Sequence, residues 1–180
     1  RQYAREQAIF GAATPFYGWH YPPYFLGLAA LLAAMPYALA LALWQGVTFA
    51  LYLWVTRAIL NTGRARALAD PLWLPIVIGF PAVFVNLGHG HNGFLTAALF
   101  GAALLQLDRK PILAGVLFGC IAYKPQFGLL VPIVLAASGR WRTFVVAATT
   151  VTMLTIAVTL VFGLDIWNAF LASTRFTRTV

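Results

Sequence analysis

Lys124 and Gln126 flank a proline in the stretch IAYKPQFGLL (Ile121 to Leu130), and the turn GHGHNG (Gly88 to Gly93) carries His89, His91 and Asn92. An ammonium, two imidazoles and two carboxamides are hydrogen-bond donors of the kind that hold an anion or a polyhydroxylated group. Pro125 cannot continue a helical hydrogen-bond ladder and biases Tyr123 and Lys124 away from undisturbed helix, so backbone groups are freed where the lysine sits. An ammonium beside the start of a helix, whose N–H groups point at the same spot, is an anion site. The alternative is a lysine that snorkels from a helix end to the headgroups, where a cation also suits the C-terminal dipole. Asn92 is placed to cap a helix starting at Gly93, since asparagine is among the best N-caps. The histidines have no carboxylate or cysteine near them in sequence to complete a metal set, so the turn is read as hydrogen-bonding to phosphate or sugar, with no metal and no cofactor.

These groups stand in a chain of 180 residues that is 62% apolar and only 9% charged, with a mean hydropathy of +0.83. That is far from the composition of a soluble domain and reads as an integral membrane protein. The net charge of +8 comes from basic residues at the ends of apolar segments, which argues against nucleic acid. Cys120, the single cysteine, excludes an internal disulfide. The chain starts at Arg1 with no initiator methionine, signal peptide or first anchor, and is expected to be a fragment of a longer chain.

Apolar segments run over Pro23 to Ala34, Tyr37 to Leu60, Leu72 to Leu87, Gly93 to Leu107, Ile112 to Tyr123, Phe127 to Ser138 and Thr143 to Phe162. The second and last, at about 36 and 30 Å, are long enough to cross a hydrocarbon core. Leu72 to Leu87 and Gly93 to Leu107 are expected to be short crossings of about 24 and 22 Å within a bundle. The twelve-residue pieces reach only about 18 Å and are expected to be dipping, interfacial or broken elements. No strand periodicity or internal repeat is present, so the predicted fold is an all-α polytopic bundle with short broken helices.

Basic clusters at Arg64 and Arg66, Arg109 and Lys110, and Arg140 and Arg142 place three connections in the cytoplasm. Counting crossings between them puts His20, His89, His91, Asn92, Lys124, Gln126 and Asp165 on or towards the opposite face. Residues 1–22 and 164–180 are then extracytoplasmic, with 23–163 forming the membrane helices of a single module. Gly93, Ala97 and Gly101, and the pair Gly115 and Gly119, are small-residue faces for close helix packing. Trp44, Tyr52 and Trp54 read as bundle or lipid contacts, and Trp141 as an interface anchor. LDIWNAFLAS, with Ile166 four before Phe170, suits an amphipathic helix on the outer surface.

The order WHYPPYFLGLAALLAAMPY, LGHGHNGFLTAALFGAALLQLDRKPILAG, YKPQFGLLVPIVLAASGRWR and FGLDIWNAFLAS resembles glycosyltransferase family 87 across essentially the whole chain. The resemblance implies a GT-C membrane bundle, mannosyltransferase-like, in a bacterial plasma membrane. It implies a polyprenyl-phosphate sugar as donor, a lipid or glycan as acceptor, and inverting hexosyl transfer at an extracytoplasmic site. The family usually has glutamine where this chain has His91, and histidine can also hydrogen-bond a phosphate. On this resemblance Lys124, Gln126, His91 and Asn92 are expected to bind the donor phosphate, and His20, Tyr21, His89 and Tyr123 to line the substrate. The family's catalytic aspartate is expected upstream of Arg1, which leaves no catalytic residue here and an inactive fragment. A transporter or channel fragment with an intramembrane anion site would use similar residues, but it predicts repeat symmetry and polar groups on both sides of the barrier. An inert membrane scaffold would make Lys124 dispensable.

Overall fold

The computed structural model describes residues 4, 7–9, 11–13, 21–62 and 72–177, with side chains described as far as 174. All regular elements among them are helical. A 3-10 turn at Pro23–Phe25 leads into α1 (Leu26–Ala33), followed by α2 (Tyr37–Leu60), α3 (Trp73–Gly79), α4 (Pro81–His89) and α5 (Gly93–Gln106). The chain continues through α6 (Pro111–Cys120), a 3-10 turn (Ile121–Tyr123), α7 (Pro125–Ala137), α8 (Trp141–Phe162) and α9 (Asp165–Thr177).

Proline decides several of these boundaries. The expected single crossing from Leu72 to Leu87 is divided: Phe80 is extended, at φ −65 and ψ 126, and α4 restarts at Pro81. Pro81 has no N–H to give to the preceding turn, and its ring drives the residue before it out of helical geometry. The same device operates at Lys124, which is extended at φ −110 and ψ 99 ahead of Pro125. There the ring occupies the first helical position, which proline favours.

Among the described residues two helices, α2 and α8, are long and apolar enough to cross a membrane. They keep much of their apolar surface outside the protein core: Met153 is 63% and Leu160 81% exposed. A long helix with such a surface suits a hydrocarbon solvent. The core lies between the shorter helices and α8, around Ala103, Phe118, Ile121, Leu135 and Ala147.

Helix register follows from close approaches. A Cβ at Gly101 would lie 2.5 Å from Cγ1 of Val55 and 3.1 Å from Cδ1 of Ile59. Phe94 packs on Phe49 and Tyr52 at 5.0 and 5.2 Å, so α2 and α5 run parallel. Gly115 faces Thr143 and Val146, and Gly119 faces Ala147 and Thr150, so α6 and α8 are also parallel. This GxxxG pair is a packing face, as its spacing predicts; a Cβ at Gly119 would meet the Ala147 carbonyl at 2.9 Å. Phe100 on Phe118 and Thr96 on Tyr123 make α5 and α6 antiparallel. Arg140 donates to Asp108 at 2.6 Å, joining the connections after α5 and before α8. Exposed Arg109, Lys110 and Arg142 lie in or beside these connections, making this the basic end of the bundle.

Candidate functional site

The opposite end carries the glycine–histidine turn. Helix α4 closes in a Schellman motif: Gly90 takes the left-handed conformation at φ 61, its N–H donates to Leu87, and the His91 N–H donates to the Asn86 carbonyl at 3.1 Å. Glycine accepts this conformation without a Cβ penalty. Helix α2 holds the turn from the side, with Trp44 Nε1 donating to the Gly90 carbonyl at 3.0 Å and Gln45 Nε2 to that of Leu87 at 2.8 Å.

The expected cap is supplied by a different residue. Asn92 occupies the N-cap position of α5, but its side chain makes no cap hydrogen bond. The Gly93 N–H instead donates to Oδ1 of Asn86 at 2.8 Å. Asn86 thus grips both sides of the turn, through its carbonyl on His91 and its carboxamide on Gly93. Position 93 must be glycine for this, because a Cβ there would collide with Asn86 Oδ1.

The second component is the break at Lys124. The Tyr123 hydroxyl and Thr96 Oγ1 share a buried 2.8 Å hydrogen bond, while Thr96 Oγ1 also donates to the Asn92 carbonyl. Tyr123 also packs on Phe25 at 5.0 Å and Tyr21 at 6.3 Å, and Phe25 packs on Trp44 at 5.8 Å. The Lys124 carbonyl accepts from the Phe127 and Gly128 N–H groups, and Pro125 has none. Among the described residues, the Gln126 N–H is therefore the donor left open in the first turn of α7. Fewer backbone donors face the lysine than a helix start ordinarily offers.

Register converts these contacts into depth. Carrying the α6–α8 pairing forward from Gly119 sets Lys124 level with about Leu154, so α8 runs on for about 12 Å to Phe162. Carrying the α2–α5 pairing back from Gly101 sets Asn92 level with Thr48, and α2 begins about 16 Å earlier, at Tyr37. Both turns are floors recessed below the ends of the two long helices. Tyr24 and Trp167 close part of the α8 wall, with the Tyr24 hydroxyl 3.2 Å from Thr155 Oγ1 and Trp167 Nε1 donating to Thr159 at 2.8 Å. Beneath α9, a cavity of about 150 Å³ is bounded by Tyr21, Leu26, Ile166 and Phe170.

The structure brings Asn92, Tyr123 and Tyr21 into one connected cluster, with Lys124 next to Tyr123 in the chain. Lys124 is half-buried, whereas Gln126, His91 and His89 are exposed. His89 Nδ1 donates to the Val85 carbonyl at 2.9 Å, and its ring lies 5.5 Å from that of His91. His20 lies outside the described residues, as do Arg64 and Arg66. Among the described residues no group of three or more His, Cys, Asp or Glu side chains could hold a metal.

Sequence reasoning did not assign Asn86, Gln45, Trp44 or Thr96 to this site. A signal was present for two of them: Asn86 is the one hydrogen-bonding side chain besides Trp73 between Leu72 and Leu87, and Gln45 is an amide inside a strongly apolar helix. The family model of glycosyltransferase family 87 matches residues 19–180. No curated protein and no solved structure matches the chain.

Proposed function

The chain belongs to glycosyltransferase family 87 and is a membrane glycosyltransferase, and from that premise we propose that it transfers a hexose, mannose or similar, from a polyprenyl-phosphate donor to a hydroxyl of a lipid or glycan acceptor. The reaction takes place at the extracytoplasmic face of a bacterial plasma membrane, in a GT-C bundle. Residues 1–180 form one membrane module of it, with 1–22 and 164–180 outside and 23–163 in the membrane.

The observation that carries this reading is the recessed pair of turns, with Lys124 linked through Tyr123 and Thr96 to the His91–Asn92 turn. Transfer with inversion forms a bond between the acceptor oxygen and the anomeric carbon while the bond from that carbon to the lipid phosphate breaks. The electron pair leaves on the phosphate oxygen, and the acceptor proton passes to a general base, the role the family resemblance gives to an aspartate. Charge therefore grows on a phosphate held below the helix ends, where a preorganised cation and fixed N–H donors act most strongly. Lys124 supplies that cation, Gln126, His91 and Asn92 supply donors, and Tyr21, His20, His89 and Tyr123 line the sugar and acceptor side.

Orientation follows from the basic end. Arg109, Lys110, Arg140 and Arg142 gather around the Asp108–Arg140 pair, and the positive-inside tendency places that end in the cytoplasm. The recess then opens on the other side, where lipid-linked sugars are consumed without nucleotide donors.

Lys124→Met in the full-length protein tests the reading, because methionine keeps the apolar stem and deletes the charge. Turnover of a polyprenyl-phosphate hexose is expected to fall by about 10²- to 10³-fold, the scale of losing one transition-state donor, while the purified protein stays monodisperse. Near-native turnover by this variant would refute the assignment.

A further inference from the structure

Two side-chain nitrogens are buried without a partner among the described residues: Nδ2 of Asn86 and Nδ2 of Asn92. The residues are 7% and 5% exposed. Asn86 lies in the last turns of α4 and Asn92 at the start of α5, on either side of the same turn, and both atoms are donors. A carboxamide spans only a couple of ångströms, so Asn86 Nδ2 lies within about 5 Å of the Gly93 nitrogen that its Oδ1 accepts from. Asn92 is the residue bonded to that nitrogen. The two donors therefore lie around one peptide, at the start of a fourteen-residue helix.

Several acceptors nearby already hold a donor. The Asn86 carbonyl takes the His91 N–H, the Leu87 carbonyl takes Gly90 and Gln45, the Gly90 carbonyl takes Trp44, and the Asn92 carbonyl takes the Thr96 N–H and hydroxyl. The N–H groups of Phe94 and Leu95, in the first turn of α5, have no protein acceptor among the described residues. Leaving buried donors unmatched costs more than a satisfied hydrogen bond contributes. A fold that keeps two in one turn is arranged for a partner rich in acceptors.

We infer that the Asn86 and Asn92 carboxamides form a neutral, donor-rich clamp for a phosphoryl oxygen at the start of α5. The inference rests on the donor-phosphate reading and deepens it. Lys124 supplies charge from one floor of the recess, and the paired carboxamides supply directional hydrogen bonds from the other. A phosphoryl oxygen fits because it can accept from both carboxamide nitrogens at once. The dipole of α5 favours the same negative charge. Asn86 has a second task, since its Oδ1 fixes the turn; Asn92 has no such task among the described residues, because its side chain makes no cap hydrogen bond.

That difference makes the test sharp. Asn92→Leu, close in shape, removes an unmatched donor. In the full-length protein it is expected to raise Tm by about 2–4 °C while lowering turnover at least about tenfold through the donor KM. A merely structural asparagine would move Tm the other way. Asn86→Asp keeps an oxygen for the Gly93 N–H and replaces only the free donor, so the donor KM should rise at least about tenfold with the fold retained. Should Asn86→Asp fail to fold, Asn92→Leu decides alone.

Thermal shift with farnesyl phosphate, and with farnesol as the headgroup-free control, reads binding without turnover. Wild type should be stabilised by the phosphate only, and Asn92→Leu by neither. Equal stabilisation by farnesol, a lower Tm for Asn92→Leu, or a full farnesyl phosphate shift in that variant would each overturn the clamp. If Lys124→Met leaves turnover intact while Asn92→Leu still loses the farnesyl phosphate shift, the donor reading has failed and the clamp has not.

Discussion

Replacing Gly93 by alanine exposes the logic of the turn, because two opposing effects meet at one atom. A helical glycine ordinarily costs about 0.5–1 kcal/mol relative to alanine, so the substitution should stabilise α5. Here the new Cβ would sit on Oδ1 of Asn86 and 3.3 Å from its Cγ, and Asn86 is buried among packed neighbours. The carboxamide must swing away, leaving the Gly93 N–H without its acceptor. Orphaning buried polar partners costs about 1–3 kcal/mol per group, reduced for the half-buried backbone of position 93. The balance is a loss of about 1–3 kcal/mol, or roughly 3–10 °C in Tm for a chain of this size. Gly46 provides the control: it lies inside α2 and a Cβ there meets nothing within 4 Å. Gly46→Ala should therefore gain about 0.5–1 kcal/mol. The assay is thermal unfolding of both variants in one detergent, followed by turnover in the full-length protein. If Gly93→Ala is as stable as Gly46→Ala, Asn86 does not hold the turn and the argument built on its carboxamide falls.

Tyr123→Phe removes the hydroxyl that meets Thr96, while Thr96 keeps its bond to the Asn92 carbonyl. A loss of about 1 kcal/mol is expected in thermal unfolding, and no loss would mean that the Lys124 break is not tied to α5 in solution. Gly119→Val forces a Cβ to 2.5 Å from that of Thr150 and 2.9 Å from the Ala147 carbonyl. Overpacking should cost about 1–3 kcal/mol or more, read as lower Tm and loss of monodispersity, whereas Gly128→Ala, with open space around it, should be tolerated.

The layout of the bundle was legible because hydrophobic length and proline are local signals. Tyr37 to Leu60 and Thr143 to Phe162 reappear as α2 and α8 with near-identical bounds, and the break at Lys124 is where Pro125 predicts it. Pro81 carried the same information for Leu72 to Leu87, but segment length outweighed it, and the expected crossing proved to be two short helices. The candidate site was legible as a set of residue types and not as a set of partners. Asn92 stands where an N-cap belongs, yet the cap is Asn86, whose distance in the chain hides the contact until the Schellman turn folds α4 back on α5. Trp44 and Gln45 were equally hidden, since a side chain from α2 reaches the carbonyls at Leu87 and Gly90 only once the helices align.

The shortness of these helices is what makes a site possible. Carried through the membrane unbroken, α4, α5 and α6 would rise beside α2 and α8 and fill the bundle to its end with apolar side chains. Instead α4 stops at Gly90 and α6 gives way to the turn before Lys124, so their polar connections lie about 12–16 Å below the tips of their long neighbours. Irregular backbone at that depth is costly in hydrocarbon, and it persists because protein surrounds it: Trp44 and Gln45 on one side, Phe25 and Tyr123 on the other. Burial also keeps water from the Asn92 carboxamide and, in part, from Lys124, while His91 stays exposed at the rim. Lengthening either break by a turn of helix would be neutral or stabilising for a scaffold, but on the proposed reading it would bury Lys124 and Asn92, the groups assigned to the phosphate.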